Sequence, residues 1–174
     1  LFDSTTIITR CIQMAVREAG PLQQLAYRWA IETGATVAAC VHERRPVPVG
    51  LKLRYRLAEA LVLRNVRRML GIDRARALLS GAAPISPDLI RWYLSLGVPM
   101  IEGWGMTETC AYGTLTRPDR IQPGCIGPAA TGVEMKIDPS TGELLTRGPH
   151  LFKGYLNLPD KTAEVFDAEG WFHT

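Results

Sequence analysis

Residues 76–102 alternate between apolar runs and one amphipathic stretch in an order that admits few folds. Arg76-Ala77-Leu78-Leu79-Ser80 is a short apolar run that stops on Gly81-Ala82-Ala83-Pro84. Ser86 is a good helix N-cap, Pro87 suits the first helical position, and Asp88 favours the positive end of a helix dipole. Leu89, Ile90, Tyr93 and Leu94 supply a buried face, Gly97 ends the helix, and Val98 to Glu102 reads as a second strand. Strand, helix, strand over this distance predicts a βαβ unit with parallel strands and a right-handed crossover. The fold class is therefore α/β. Both strands end on one edge of the sheet, where open α/β sheets bind their ligands.

The second strand runs into Gly103-Trp104-Gly105-Met106-Thr107-Glu108-Thr109. The glycines allow a tight turn and close approach of backbone, the indole offers a flat apolar wall, and two hydroxyls and a carboxylate offer hard oxygen donors. A nucleotide with its magnesium wants all three. The small residues of Gly81-Ala82-Ala83-Pro84 leave room on the same edge, so a planar base held against Trp104 is one reading. A plain glycine-rich turn with a packed tryptophan is the other.

Ahead of this unit the chain reads as helix. Ile12, Ala15, Val16 and Ala19 form one stripe stopped by Gly20-Pro21, and Leu22, Leu25, Ala26, Trp29 and Ala30 begin another that runs towards Cys40. Pro46, Pro48 and Gly50 interrupt it. A third helix is expected from about Leu51 to Leu70, with Ala58, Val62, Val66 and Met69 inward and Gly71 just past its end. The basic residues cluster between Arg44 and Arg76, which suits either a solvated helix face or a surface that meets anionic lipid or phosphate. After Thr114 the texture changes. Val133 to Ile137 alternates as a half-buried strand, Asp138 to Gly142 turns, and Glu143 to Arg147 returns, which predicts a small antiparallel β region. A short helix over 159–165 and a last strand at Trp171-Phe172-His173 follow.

The 174 residues are 47% hydrophobic and 21% charged, which fits a globular domain with a real core. A net charge of +3 is too small to argue for nucleic acid. Cys11, Cys40, Cys110 and Cys125 lack metal or redox spacing and fit reduced thiols in a cytoplasmic setting. No apolar run reaches the length of a membrane span, and no signal peptide is visible. The first residue is Leu1 and the last run is apolar, so the chain is expected to be a piece of a longer protein.

Five segments in order carry a resemblance: Ser80-Gly81-Ala82-Ala83-Pro84, Glu102 to Thr109, Gly142 to Pro149, Lys153-Gly154-Tyr155, and Gly170 to Thr174. The series resembles the adenylate-forming, AMP-binding ligases, and is most similar to the long-chain fatty acid–CoA ligases. The likeness is clear from about residue 75 onward and fainter over 20–74. It implies a parallel-sheet adenylation subdomain, with residues 1–74 as a helical portion, 75–116 as the nucleotide-binding βαβ portion and 117–174 as an antiparallel β subdomain. Gly81, Ala82 and Ala83 would line the adenine side, with Gly103, Trp104, Gly105 and Met106 opposite, and Trp104 would stack on the base. Thr107 would bind the α-phosphate and Glu108 would hold Mg²⁺. Lys153-Gly154-Tyr155 would serve packing of the β region.

The implied reaction joins a fatty acid to CoA through an acyl-adenylate, with ATP, Mg²⁺ and CoA as cofactor and co-substrates. Fatty substrates leave room for peripheral membrane contact; the oligomeric state is not set. Relatives also carry an upstream phosphate loop, a ribose-binding aspartate directly after the motif matched by His173-Thr174, and a lysine in a mobile C-terminal domain. None of the three is present in this sequence, so the isolated chain is expected to be inactive. A fatty acyl-AMP ligase, a ligase for another carboxylic acid, and a non-catalytic nucleotide-binding remnant are the alternatives.

Overall fold

Helix α1 (Pro21–His42) starts where Pro21 needs no amide partner, and the Gln23 side chain accepts the Gly20 N–H at 3.1 Å. A computed structural model describes Ile12 and residues 14–174. Two compact units divide the chain. Leu1–Leu78, Ile85–Met100 and Pro118–Gly124 form one, and Leu79–Pro84, Ile101–Arg117 and Cys125–Thr174 form the other.

The first unit is helical. α1 buries only small residues, Ala30, Thr33 and Gly34. Their i, i+3, i+4 spacing makes a narrow stripe that lets α4 (Pro87–Ser95) approach backbone to backbone. Tyr27 and Trp92 tie the two helices together, the indole N–H donating to the phenol oxygen at 2.8 Å. Leu89, Ile90, Tyr93 and Leu96 form the centre of the core. Ser86 holds the N-cap position of α4 without a side-chain cap bond.

α2 (Val49–Ala58) passes through a π-turn (Glu59–Leu63) into α3 (Arg64–Met69). The extra residue in that turn changes which side faces in. Ala58 is fully buried and Leu63, five residues on, is fully buried too. From there the stripe continues through Val66 to Leu70, so Met69, expected inward, is 68% exposed. Gly71 follows with φ +71°, and the Gly71 and Ile72 amides close on Arg68 and Arg67 carbonyls.

Most of the basic cluster is exposed, as a solvated face should be, but Arg67 turns inward. Its guanidinium grips the Glu59 carboxylate with both terminal nitrogens and reaches the Leu96 carbonyl at 2.6 Å. The carboxylate raises the arginine's pKa against the opposing effect of burial. Arg67 thus clamps the π-turn and the end of α4. Arg67→Ala should cost about 2–4 kcal/mol, because it strands a part-buried carboxylate and a carbonyl. Urea unfolding of the variant against wild type measures this.

The second unit holds two sheets. One has the order β1 (Leu78–Ser80), β2 (Met100–Trp104), β3 (Thr114–Leu115), with β1 and β2 parallel. Leu78 and Met100, the first residues of β1 and β2, count with the helical unit. Strand β2 starts after Pro99, which has no amide to donate but whose carbonyl accepts the Leu78 N–H at 2.8 Å. It ends two residues beyond the expected Glu102, because Gly103 and Trp104 pair antiparallel with Leu115 and Thr114. That partner, β3, has two residues and no pattern that a sequence could show.

The other sheet is antiparallel, ordered β4 (Glu134–Ile137), β5 (Leu144–Arg147), β6 (Phe172–His173). Asp138 fixes the hairpin, its carboxylate accepting from the Ser140 amide and hydroxyl at 2.7 and 2.6 Å, which holds its pKa below the usual range. Trp171 lies beneath Lys136 and Arg147, which stand 4.1 and 4.5 Å from its ring centre. Helix α5 (Pro159–Val165) precedes β6. The architecture is mixed α/β, with a parallel-containing sheet and a separate small antiparallel one. No described helix is long and apolar enough to cross a membrane.

Candidate functional site

The heptad after Glu102 is half strand and half turn. Gly103 and Trp104 close β2, and Thr107–Thr109 form one turn of 3-10 helix. Thr109 holds the turn together. Its hydroxyl accepts the Met106 N–H at 2.9 Å and donates to the Met106 carbonyl at 3.1 Å, and its side chain is fully buried. Cys110 and Ala111 then take left-handed backbone, with φ 51° and 57°, and the Ala111 and Gly113 amides return to the carbonyls of Met106 and Trp104. Two successive non-glycine residues at positive φ are strained, so the tight bond set around them is what keeps the loop closed.

This closure explains two of the glycines. A Cβ on Gly105 would lie 2.4 Å from the Ala111 carbonyl carbon, so the close approach at Gly105 is to the loop itself. A Cβ on Gly113 would lie 2.7 Å from Trp104 Cε3, so the missing side chain leaves the half-buried indole its seat. Gly113→Ala should therefore displace the Trp104 ring, at a stability cost of about 1–3 kcal/mol. Near-ultraviolet circular dichroism, compared with a Trp104→Phe reference, reads that displacement.

Gly81 follows β1 and stands against β2, where a Cβ would meet the Gly103 carbonyl oxygen at 3.2 Å. The structure so brings the two expected loops to neighbouring strand ends. Ala82 is left-handed, with φ 66°, and Ala83 is exposed beside it. Met106 is half-buried in extended backbone before the 3-10 turn.

Thr107 is exposed at the start of that turn and Glu108 is half-buried beside it. Glu108 is held at two points. Its carbonyl accepts the Phe152 N–H at 2.8 Å, and its Oε1 accepts the Tyr155 hydroxyl at 2.9 Å. The carboxylate pushes the phenol's pKa up. Tyr155 is fixed in turn, because its amide donates to Thr162 Oγ1 at 2.9 Å and its ring meets Phe152 edge-on at 4.8 Å. Lys153-Gly154-Tyr155 therefore does more than pack: its tyrosine reaches the candidate metal ligand. Two roles differ from those expected: the Thr109 hydroxyl, expected as an oxygen donor to a ligand, is buried and engaged with Met106, and Tyr155, expected to pack, reaches Glu108. For Tyr155 the available signal was a hydroxyl among Phe152, Phe166 and Phe172, where phenylalanine would fill the space.

Among the described residues no group of three or more His, Cys, Asp or Glu side chains could cage a metal. A single half-buried carboxylate, with an exposed hydroxyl on the preceding residue, fits a cation that keeps waters and takes its other oxygens from a phosphate ligand, which is magnesium's habit. Glu102 lies inside β2 and is buried. His150 and His173 are structural in their surroundings. Burial lowers the His150 pKa and its Nε2 lies 3.2 Å from the Thr146 hydroxyl, while His173 Nδ1 lies 3.0 Å from Glu143.

Known proteins carry the same pattern. A model of the AMP-binding enzyme family matches residues 6–156. A long-chain fatty acid–CoA ligase of Xenopus laevis, ACSBG2, is 40% identical over 126 residues, covering 70% of this chain and 17% of that protein. Its namesake in Rattus norvegicus is 33% identical over 168 residues, covering 94% of this chain and 25% of that protein. The crystal structure of ATP-bound MatB from Rhodopseudomonas palustris superimposes with a TM-score of 0.54 at 32% identity, covering 68% of this chain and 26% of that one. The chain thus spans about a quarter or less of the curated relatives it matches here, and it belongs to the AMP-binding family of adenylate-forming ligases.

Proposed function

We propose that this chain supplies the nucleotide and metal loop of an AMP-forming long-chain fatty acid–CoA ligase. The observation that carries the reading is the 3-10 turn that follows β2, which places an exposed Thr107 and a half-buried Glu108 on consecutive residues of a loop pinned by Thr109. The names of the ACSBG2 relatives support a fatty acid as the acid, and the ATP in the MatB structure supports the nucleotide.

In this reading Trp104 stacks on adenine, with Gly81, Ala82 and Ala83 on the other side of the base and Gly103, Gly105 and Met106 along its edge. Thr107 donates its hydroxyl to an α-phosphate oxygen. Glu108 would hold Mg²⁺, whose charge draws electron density from the phosphate oxygens when bound. The fatty carboxylate oxygen attacks the α-phosphorus as the bond to pyrophosphate breaks, giving acyl-adenylate. The CoA thiol, losing its proton, then attacks the acyl carbon and AMP leaves. The chain's own share is to orient base and phosphate and to meet developing charge with fixed donors. A cytoplasmic setting is part of the reading, and Cys40, Cys110 and Cys125, free thiols among the described residues, are compatible with it.

The test is a product assay on the intact ligase that carries this sequence, supplied with palmitate, ATP, Mg²⁺ and CoA. Palmitoyl-CoA, AMP and pyrophosphate are expected. AMP and pyrophosphate with acyl-adenylate but no thioester would move the acceptor to a carrier protein, and ADP would end the reading. The 174 residues alone should bind AMP and turn nothing over.

A further inference from the structure

We propose that Tyr155 is a positioning residue for Glu108, holding one carboxylate oxygen so that the other is aimed at the cation. The inference rests on the reading of Glu108 as the magnesium ligand and goes one step past it. A lone glutamate on a one-turn 3-10 helix has three free side-chain torsions, and a ligand that wanders among rotamers binds a cation weakly. Here the phenol donates to Oε1 at 2.9 Å across a separation of 47 residues. The bond leaves Oε2 outside the Tyr155 contact, on the residue that follows the exposed Thr107 in the turn.

The tyrosine can do this because it is itself immobile. Thr162 holds its amide, Phe152 holds its ring, and the Phe152 amide holds the Glu108 carbonyl at 2.8 Å. The segment 152–155 therefore grips Glu108 by main chain and side chain together. Packing alone does not call for the hydroxyl. Phe152, Phe166 and Phe172 fill the same cluster without one.

The experiment titrates Mn²⁺ against the intact ligase with a non-hydrolysable ATP analogue and reads free Mn²⁺ by electron paramagnetic resonance. Tyr155→Phe keeps the ring and should weaken Mn²⁺ binding about 10-fold, the usual loss when the partner of a metal ligand is removed. Its melting temperature should stay near wild type, and kcat should fall while the KM for the fatty acid holds. In a Glu108→Ala background, Tyr155→Phe should cause no further loss. Phe152→Leu loosens the ring packing but keeps the hydroxyl, so it should lower the melting temperature and weaken Mn²⁺ binding clearly less than Tyr155→Phe does. Three results would overturn the inference: unchanged Mn²⁺ affinity in Tyr155→Phe, a further loss in the Glu108→Ala background, or an equal loss in Phe152→Leu. If Glu108→Ala itself left Mn²⁺ affinity unchanged, the underlying metal reading would fall and the inference with it, which separates the two failures.

Discussion

Gly34→Ala should unfold the helical unit at temperatures where the wild type is intact. The added Cβ would lie 1.9 Å from the Ser95 carbonyl oxygen, 2.9 Å from its carbon and 3.3 Å from its Cα. Both sides of that contact are backbone, so no rotamer change relieves it, and α1 and α4 must move apart by more than an ångström. Separation would also loosen Ala30 and Thr33, which are 0% and 1% exposed, and stretch the Tyr27–Trp92 bond. Overpacking typically costs 1–3 kcal/mol, and a rigid backbone-on-backbone clash belongs at or beyond the upper end, about 3 kcal/mol or more. For a domain of this size that lowers the melting temperature by on the order of 10–20 °C. Thermal and urea unfolding measure it. Gly50→Ala is the matched control: it lies in α2 with open space around the Cβ position, so alanine should stabilise by about 0.5–1 kcal/mol. A neutral Gly34→Ala would show that α1 and α4 do not meet as described.

Gly34 marks where sequence reading runs short. A glycine inside a helix looks like a defect of propensity until its neighbour across the interface is known. Of the stripe Leu22, Leu25, Ala26, Trp29 and Ala30, the first two are exposed, and the inward side instead runs on through Thr33 and Gly34. The helix from Pro21 itself was legible because its period is local. The same holds for the βαβ order, for Pro87 and Gly97 at the ends of α4, and for the 134–147 hairpin, whose alternation and turn residues lie together in the chain. The π-turn was not legible. One extra residue in a turn leaves no compositional trace, yet it shifts the inward face from Met69 to Leu70. Nor was β3, whose two residues are a strand only because Gly103 and Trp104 lie beside them.

The candidate site divides along the same line. The residues proposed to carry its chemistry, Trp104, Thr107 and Glu108, stand in one heptad, so a single sequence is enough to propose them together. Their supports could not be read this way. Gly113 seats the indole from nine residues away, and Tyr155 reaches Glu108 from a segment beyond the whole β4–β5 hairpin. Such partners are set by tertiary folding, and a single sequence shows them only as a small residue or a hydroxyl where a larger or plainer one would do.

In the intact ligase, Glu108→Ala and Trp104→Ala should fail in different ways. In the proposed role Glu108 would meet charge that grows on the phosphate oxygens as the α-phosphorus is attacked, acting through the cation it would hold. Removing it should cut adenylate formation by on the order of 100-fold in kcat, the usual scale for losing one preorganised electrostatic contact. Added Mg²⁺ should recover part of the loss, because nucleotide phosphates and water keep binding the ion. In the proposed role Trp104 would touch a part of the nucleotide that does not react, so its contribution would be equal in ground and transition states. Base–aromatic stacking contributes about 1–3 kcal/mol, so Trp104→Ala should raise the KM for ATP roughly 5- to 150-fold with kcat nearly unchanged. Trp104→Tyr retains a flat ring and should restore most of the affinity. Pyrophosphate release measured across ATP and Mg²⁺ concentrations separates the two patterns. A kcat defect in Trp104→Ala, or full adenylate formation by Glu108→Ala at limiting Mg²⁺, would show that the indole and the carboxylate do not hold the roles given to them.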